Sequence, residues 1–146
     1  TLWCSITHTR NMDCIFCKII AGDIPCHKLY ETDDVLAFLD IGPVSEGHTL
    51  VIPKVHVTDL GDGSREIAMQ LMGVVHDIAP RIMTALGATG YNLGMNHGVD
   101  AGQDVLHTHL HIMPRKHDVA RAFVKTHPTQ EELAVTAEKI RTRLTK

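Results

Sequence analysis

The chain is poor in several things, and each shortage removes a class of explanation. Lysine and arginine total 14 against 17 acidic residues, a formal net charge of -3, so no basic excess points to nucleic acid as a partner. No apolar run approaches the length needed to cross a bilayer, and no stretch is laid out as a signal peptide. Cysteine is limited to Cys4, Cys14, Cys17 and Cys26, all near the start, where disulfides could not staple the remainder. Reduced thiols in a cytoplasmic setting are therefore expected. Phenylalanine occurs three times, so each ring is in demand for a core as well as for any pocket. Repeats, low-complexity tracts and linkers are also missing.

What is present fits one ordinary globular domain: 146 residues, of which 44% are hydrophobic. A short mixed arm is expected over residues 1–12, followed by a single domain over 13–146. CIFCKIIAG carries apolar residues at helical spacing and ends at Gly22, a suitable residue to follow a helix. KLYE and VLAFLD, separated by Thr32-Asp33-Asp34, predict a hairpin. HTLVIP predicts a central strand stopped by Pro53. From Ser64 to Leu86, Ile67, Leu71, Val74, Ile78, Ile82 and Leu86 recur at helical spacing, which predicts a long helix with a kink at Pro80. YNLGMN predicts another strand, and Thr129 with Glu132 forms a capping box that opens a last helix. About five strands with segregated helices and short hairpins argue for an α+β fold with an antiparallel sheet.

The densest signal is HTHLHIM, His107 to Met113. In a strand, residues two apart share a face, so His107, His109 and His111 would project together while Thr108, Leu110 and Ile112 face the core. One histidine on a solvent face needs no explanation. Three in register do, because histidine has low strand preference and adjacent imidazoles repel when charged. Convergent imidazoles suit either a metal or chemistry on an anion. The preceding loop, Asn96 to Asp104, favours the anion: it is rich in residues that expose backbone N–H groups and offers the amides of Asn96 and Gln103. Imidazole beside phosphate suggests displacement at phosphorus through a phosphohistidine-type intermediate.

His107-Thr-His109-Leu-His111-Ile-Met113 resembles the signature of the histidine triad (HIT) family of nucleotide hydrolases and transferases. CIFCKIIAGDIP, LAFLDI, GHTLVIPKVH and NHGVDAGQDV accompany it in the family's order. The likeness spans roughly Cys14 to Arg115 and is nearer the Hint-like and bacterial HIT branch than the Fhit branch. It implies that His109 is the nucleophile that attacks the α-phosphate and becomes nucleotidylated. By the same resemblance His111 and Asn96 hold phosphate, Gly102, Gln103 and Val105 belong to the loop closing over it, and His107 and His48 complete the catalytic histidines around the nucleophile. Asp40 would accept the ribose hydroxyls, and Phe16, Ile19, Ile24, Phe38, Leu39 and Ile41 would form the apolar cleft for the base. The family's transferase branch has glutamine at the third histidine, so His111 implies hydrolysis.

The resemblance further implies a homodimer paired through the sheet and an AMP-like purine nucleotide substrate. A purine nucleoside phosphoramidate is expected. A dinucleoside polyphosphate is the first alternative, and a zinc-stabilised nucleotide-binding module with incidental catalysis the second. Asp104 departs from the pattern: Hint and Fhit relatives carry Ser or Thr there, and a carboxylate would repel phosphate unless protonated or turned away.

Cys14-x-x-Cys17 has metal-ligand spacing, but buried thiols and a redox pair fit that spacing too. Some HIT relatives with this pair hold zinc with the histidine after the VIPK motif and the first triad histidine, here His56 and His107. A structural Zn2+ on Cys14, Cys17, His56 and His107 is the resulting expectation. Cys4, Cys26, His8, His27, His76, His117 and His127 are assigned no function.

Overall fold

The computed structural model describes residues 11–145, so most of the expected arm, with Cys4 and His8, lies outside the described residues. Helix α1 (Ile15–Ala21) is followed by strands β1 (Lys28–Glu31), β2 (Val35–Leu39) and β3 (Thr49–Pro53). Helix α2 (Arg65–Leu86), β4 (Gly90–Gly94), a 3-10 turn at Val99–Ala101, β5 (Leu110–Arg115) and α3 (Gln130–Leu144) complete the order. The sheet runs β1-β2-β3-β5-β4 and every pairing is antiparallel. The α+β expectation holds.

Local signals fix the element ends. Gly22 follows α1 in the left-handed conformation, φ 83°, where a Cβ would be strained. Ser64 accepts the Ile67 N–H and starts α2. Thr129 and Glu132 form the reciprocal capping box, with the Glu132 N–H on Thr129 Oγ1 at 3.2 Å and the Thr129 N–H on Glu132 Oε2 at 2.8 Å. Pro80 does not divide α2, which runs through it as one element of 22 residues. Strand β5 starts later than expected. His107 and His109 precede it, and only His111 lies within it.

The sheet is covered on both faces, which is why β2 and β3 are buried at every position. Val35, Ala37 and Leu39 of β2, with Leu110 and Ile112 of β5, pack under Leu71, Val75, Ile78 and Ile82 of α2 and Leu133, Ala137 and Ile140 of α3. The alternate residues Leu36, Phe38, Leu50 and Ile52 form a second cluster with Phe16 and Cys17 of α1 and Cys14 just before it. The period of two thus sends one set of side chains to the main core and the other to the α1 face. His111 pairs across from Leu50 and Gly94, which places it on the α1 face.

Two glycines test this account in opposite directions. Gly47, just before β3 and His48, has φ 84°, and a Cβ there would run into Leu86 Cδ1. Gly73 sits in α2 with no neighbour within 4 Å of an added Cβ. Gly47→Ala should therefore cost about 1–3 kcal/mol of stability, whereas Gly73→Ala should add about 0.5–1 kcal/mol. Urea denaturation of both variants checks the pair, and equal effects would contradict the packing described.

Candidate active site

The α1 face of the sheet opens into a cleft of about 890 Å³ lined by Phe16, Ile19, Ile24, Phe38, Leu39, Asp40, Ile41, Asn96, Gly102, Asp104, Val105, His109 and His111, among others. Every expected base-cleft residue lines it. Phe16 and Phe38 are buried and meet edge to face, centroids 5.6 Å apart, so they serve the second core cluster and the cleft wall together.

At the floor, His109 is oriented by the backbone of His107. Its Nδ1 lies 2.7 Å from the His107 carbonyl oxygen. A carbonyl only accepts, so Nδ1 carries the proton and Nε2 keeps a free lone pair. The Phe16 ring stands perpendicular to the imidazole, centroids 5.2 Å apart, and limits its rotation.

A second chain of bonds sets His111. The Val44 N–H donates to His48 Nδ1 at 3.1 Å, which leaves the His48 proton on Nε2. That proton points at His111 Nδ1, 2.9 Å away, so His111 in turn bears its proton on Nε2. His111 Nε2 is buried and has no partner among the described residues. It is a donor waiting for an acceptor, on the same side as the His109 ring 4.9 Å away. Burial, then the neighbouring His109 and His48, pushes the His111 pKa down to about 4, and burial likewise lowers His48. Asp40 accepts the Gly42 N–H on Oδ1 at 2.8 Å and holds Oδ2 3.7 Å from His48 Nε2. It stands at the end of β2 on the cleft wall.

His107 faces away from the cleft floor, toward the cysteines. Its Nε2–H donates to the Pro53 carbonyl at 2.8 Å, which leaves Nδ1 free, and that atom lies 3.5 Å from Cys14 Sγ and 3.7 Å from Cys17 Sγ. Cys17 Sγ is 3.4 Å from His56 Nδ1, and the four donor atoms all lie within 4.8 Å of one another. Sulfur at 2.3 Å and nitrogen at 2.0–2.1 Å from one tetrahedral ion stand about 3.5 Å apart, so these separations fit zinc. The Pro53 carbonyl supplies an outer bond of the kind that would fix this imidazole as a ligand.

The HIT domain model matches residues 21–118. The chain belongs to the HIT family. It is 50% identical over 117 residues to Protein hit of Bacillus subtilis, covering 79% of this chain and 81% of that relative. It is 46% identical over 107 residues to an adenosine 5'-monophosphoramidase of Schizosaccharomyces pombe, covering 73% and 77%. Among solved structures, a Zn-bound histidine triad family protein from Mycobacterium smegmatis superposes with a TM-score of 0.84 at 37% identity, covering 92% of this chain and 94% of that one.

Within this HIT domain several residues differ from the sequence reading: Cys26 and His127, assigned no function, line the cleft, and His107, read as catalytic as well as metal-binding, does not. Gln103 is absent from the cleft lining. Its amide donates to the carbonyls of Thr58 at 2.6 Å and Val105 at 3.2 Å, its Oε1 accepts the Gly98 N–H, and its own N–H goes to the Gly98 carbonyl. Its side-chain amide is committed to these bonds, so it shapes the loop without facing the cleft. Lys125 was not anticipated. It lines the cleft and stands 3.3 Å from Asp104 Oδ2, in an irregular segment that carries no periodic signal. Asp104 Oδ1 lies 4.0 Å from His109 Nε2. Burial works to raise the Asp104 pKa, but the Lys125 hydrogen bond and charge, with His109 behind them, bring it below the usual carboxylate value.

The neutral state of His111 has a consequence for stability. Its pKa is about 4 in the folded protein and about 6.5 unfolded. Between those values the unfolded chain binds more protons, so stability present above about pH 6.5 is lost as pH falls toward about 4. Urea midpoints should drop between about pH 7.5 and about pH 5, and the drop should be smaller in His111→Gln. An identical drop in both proteins would mean that His111 is not held neutral.

Proposed function

We propose that this HIT protein is a nucleotide hydrolase of the purine nucleoside phosphoramidase type, acting at the α-phosphate. The observation that carries the reading is the proton pattern: a bare His109 Nε2 beside an unpartnered His111 Nε2–H. The first has the lone pair needed to attack phosphorus. The second has the proton needed to hold a phosphoryl oxygen as charge develops on it.

In the first step His109 Nε2 forms a bond to phosphorus. The bond from phosphorus to the leaving nitrogen breaks, and its electron pair departs with the amine, which takes a proton from solvent. In the second step water attacks phosphorus, the bond to Nε2 breaks, and a nucleoside monophosphate and a proton are released. Asp40 takes the ribose hydroxyls, and Phe16, Ile19, Ile24, Phe38, Leu39 and Ile41 hold the base. Asn96 and the Gly102 loop, with Val105 at its edge, flank the phosphate.

Cys14, Cys17, His56 and His107 would hold a structural zinc ion. Bound there, the ion ties α1 to the segments after β3 and before β5. Among the described residues strand β4 ends the sheet, and pairing of two copies along the sheet is the proposed dimer.

His109→Ala should lower kcat for adenosine 5'-phosphoramidate by about three orders of magnitude or more while nucleotide affinity stays within about tenfold. Rapid quenching of the wild-type protein at neutral or alkaline pH should trap a nucleotidyl-histidine. Near-normal turnover by the variant would overturn the mechanism. A wild type that binds AMP but turns over neither phosphoramidates nor dinucleoside polyphosphates would favour the binding module instead.

Elemental analysis of the purified protein should give about one zinc per chain, and chelation should lower its thermal midpoint. Cys14→Ser with Cys17→Ser should lose the metal and keep part of the activity. Light scattering on the same sample should report twice the chain mass. A stable, metal-free protein returns the cysteines to buried thiols, and a monomer removes the sheet-paired dimer.

A further inference from the structure

Lys125 and Asp104 are both about two-thirds exposed, 63% each, and stand at the rim of the cleft, whereas the His109 side chain is 3% exposed at its floor. This difference in depth gives the pair a position in the reaction. In an in-line displacement the leaving group lies on the far side of phosphorus from the nucleophile. With His109 attacking from the floor, the leaving group is directed toward the mouth, where Lys125 and Asp104 meet.

Lys125 is held there from both sides. On one side Arg115 of β5 donates to the Ala122 carbonyl at 2.8 Å and lies over the Phe123 ring, 4.8 Å from its centroid. On the other, the Thr126 N–H and hydroxyl both donate to the Pro43 carbonyl, at 2.9 and 2.7 Å. Between these anchors the Lys125 stem crosses Gly42, where an added Cβ would sit 3.4 Å from Lys125 Cδ and 3.8 Å from Asp40 Oδ1. The side chain therefore spans from the ribose end of the cleft to Asp104 at the phosphate end.

We propose that Lys125 is a specificity-determining residue: paired with Asp104 across the cleft mouth, it lets an anionic leaving group depart beside a carboxylate that would otherwise repel it. The inference rests on the hydrolase reading and deepens it. Asp104 alone would favour a neutral or cationic amine and disfavour sulfate or phosphate. The ammonium cancels that bias, and the balance between the two groups sets the preference. Both groups are solvated, so the effect is modest and weakens with salt.

The test compares adenosine 5'-phosphosulfate, which releases an anion, with adenosine 5'-phosphoramidate, which releases ammonia, in the full-length protein. The readout is the ratio of kcat/KM for the first to that for the second. In Lys125→Met the ratio should fall about fivefold at low salt. In Asp104→Asn, which leaves the cation unopposed, it should rise by a similar factor. Lys125→Arg should keep the wild-type ratio, and both shifts should shrink at about 0.5 M salt. If the two substrates lose activity together in Lys125→Met, the residue is merely structural and the inference fails. An unchanged ratio in an active enzyme overturns the inference alone. A wild type that turns over neither substrate overturns the phosphoramidase reading, and this inference with it.

Discussion

The geometry of the whole site depends on how His107 is held. Its ring is fixed at one end by the Pro53 carbonyl and faces the two thiols at the other. Its backbone carbonyl then accepts the His109 Nδ1 proton. One residue therefore joins the Cys/His cluster to the proposed nucleophile through a single peptide unit. Any loosening of the cluster would be felt as a rotation of the carbonyl that selects the His109 tautomer. The proposed zinc ion would thus sit two residues from the proposed nucleophile and steady it without touching it.

Burial supplies the second requirement. An imidazole attacks only when neutral, and three or four close imidazoles would repel one another if charged. The fold removes that conflict by desolvating His48, His107 and His111, so that the chain of bonds from Val44 through His48 to His111 carries protons without charge. The strand alternation makes this possible: Leu110 and Ile112 anchor β5 in the main core while His111 faces the cleft. The same apolar packing that stabilises the sheet thus lowers the proton affinity of the residues on its other face.

Much of this was legible in the sequence because it is local. Gly22, Ser64 and the Thr129–Glu132 box announce helix ends through neighbours a few residues away, and the structure places those ends within a residue or two. The triad was legible through its period, although β5 proper begins at Leu110, because the backbone before it bonds instead to the segment after β3, Thr108 N–H on the Val57 carbonyl at 2.8 Å. The roles that the sequence hid are those set by contacts across long separations. Gln103 has the amide of a ligand-binding residue, yet its partner is Thr58, and nothing near either residue signals that bond. Lys125 meets Asp104 across 21 positions from a segment without helical or strand periodicity.

Asp104 is where these strands of reasoning meet. A carboxylate beside the reacting phosphorus is unfavourable in isolation, and protonation is no remedy here, since Lys125 pulls its pKa down rather than up. Turning away is no remedy either, because Oδ1 remains 4.0 Å from His109 Nε2. What is left is charge compensation from across the cleft. A hydroxyl at this position would donate to phosphate by itself and need no partner. An ion pair performs the same neutralisation only while both members stay in place, and it makes the electrostatics of the cleft mouth depend on the segment that carries Lys125. On the proposed reading the anchors on Arg115 and Pro43 would then take part in the chemistry, because they would decide whether the cation is present when a leaving group departs.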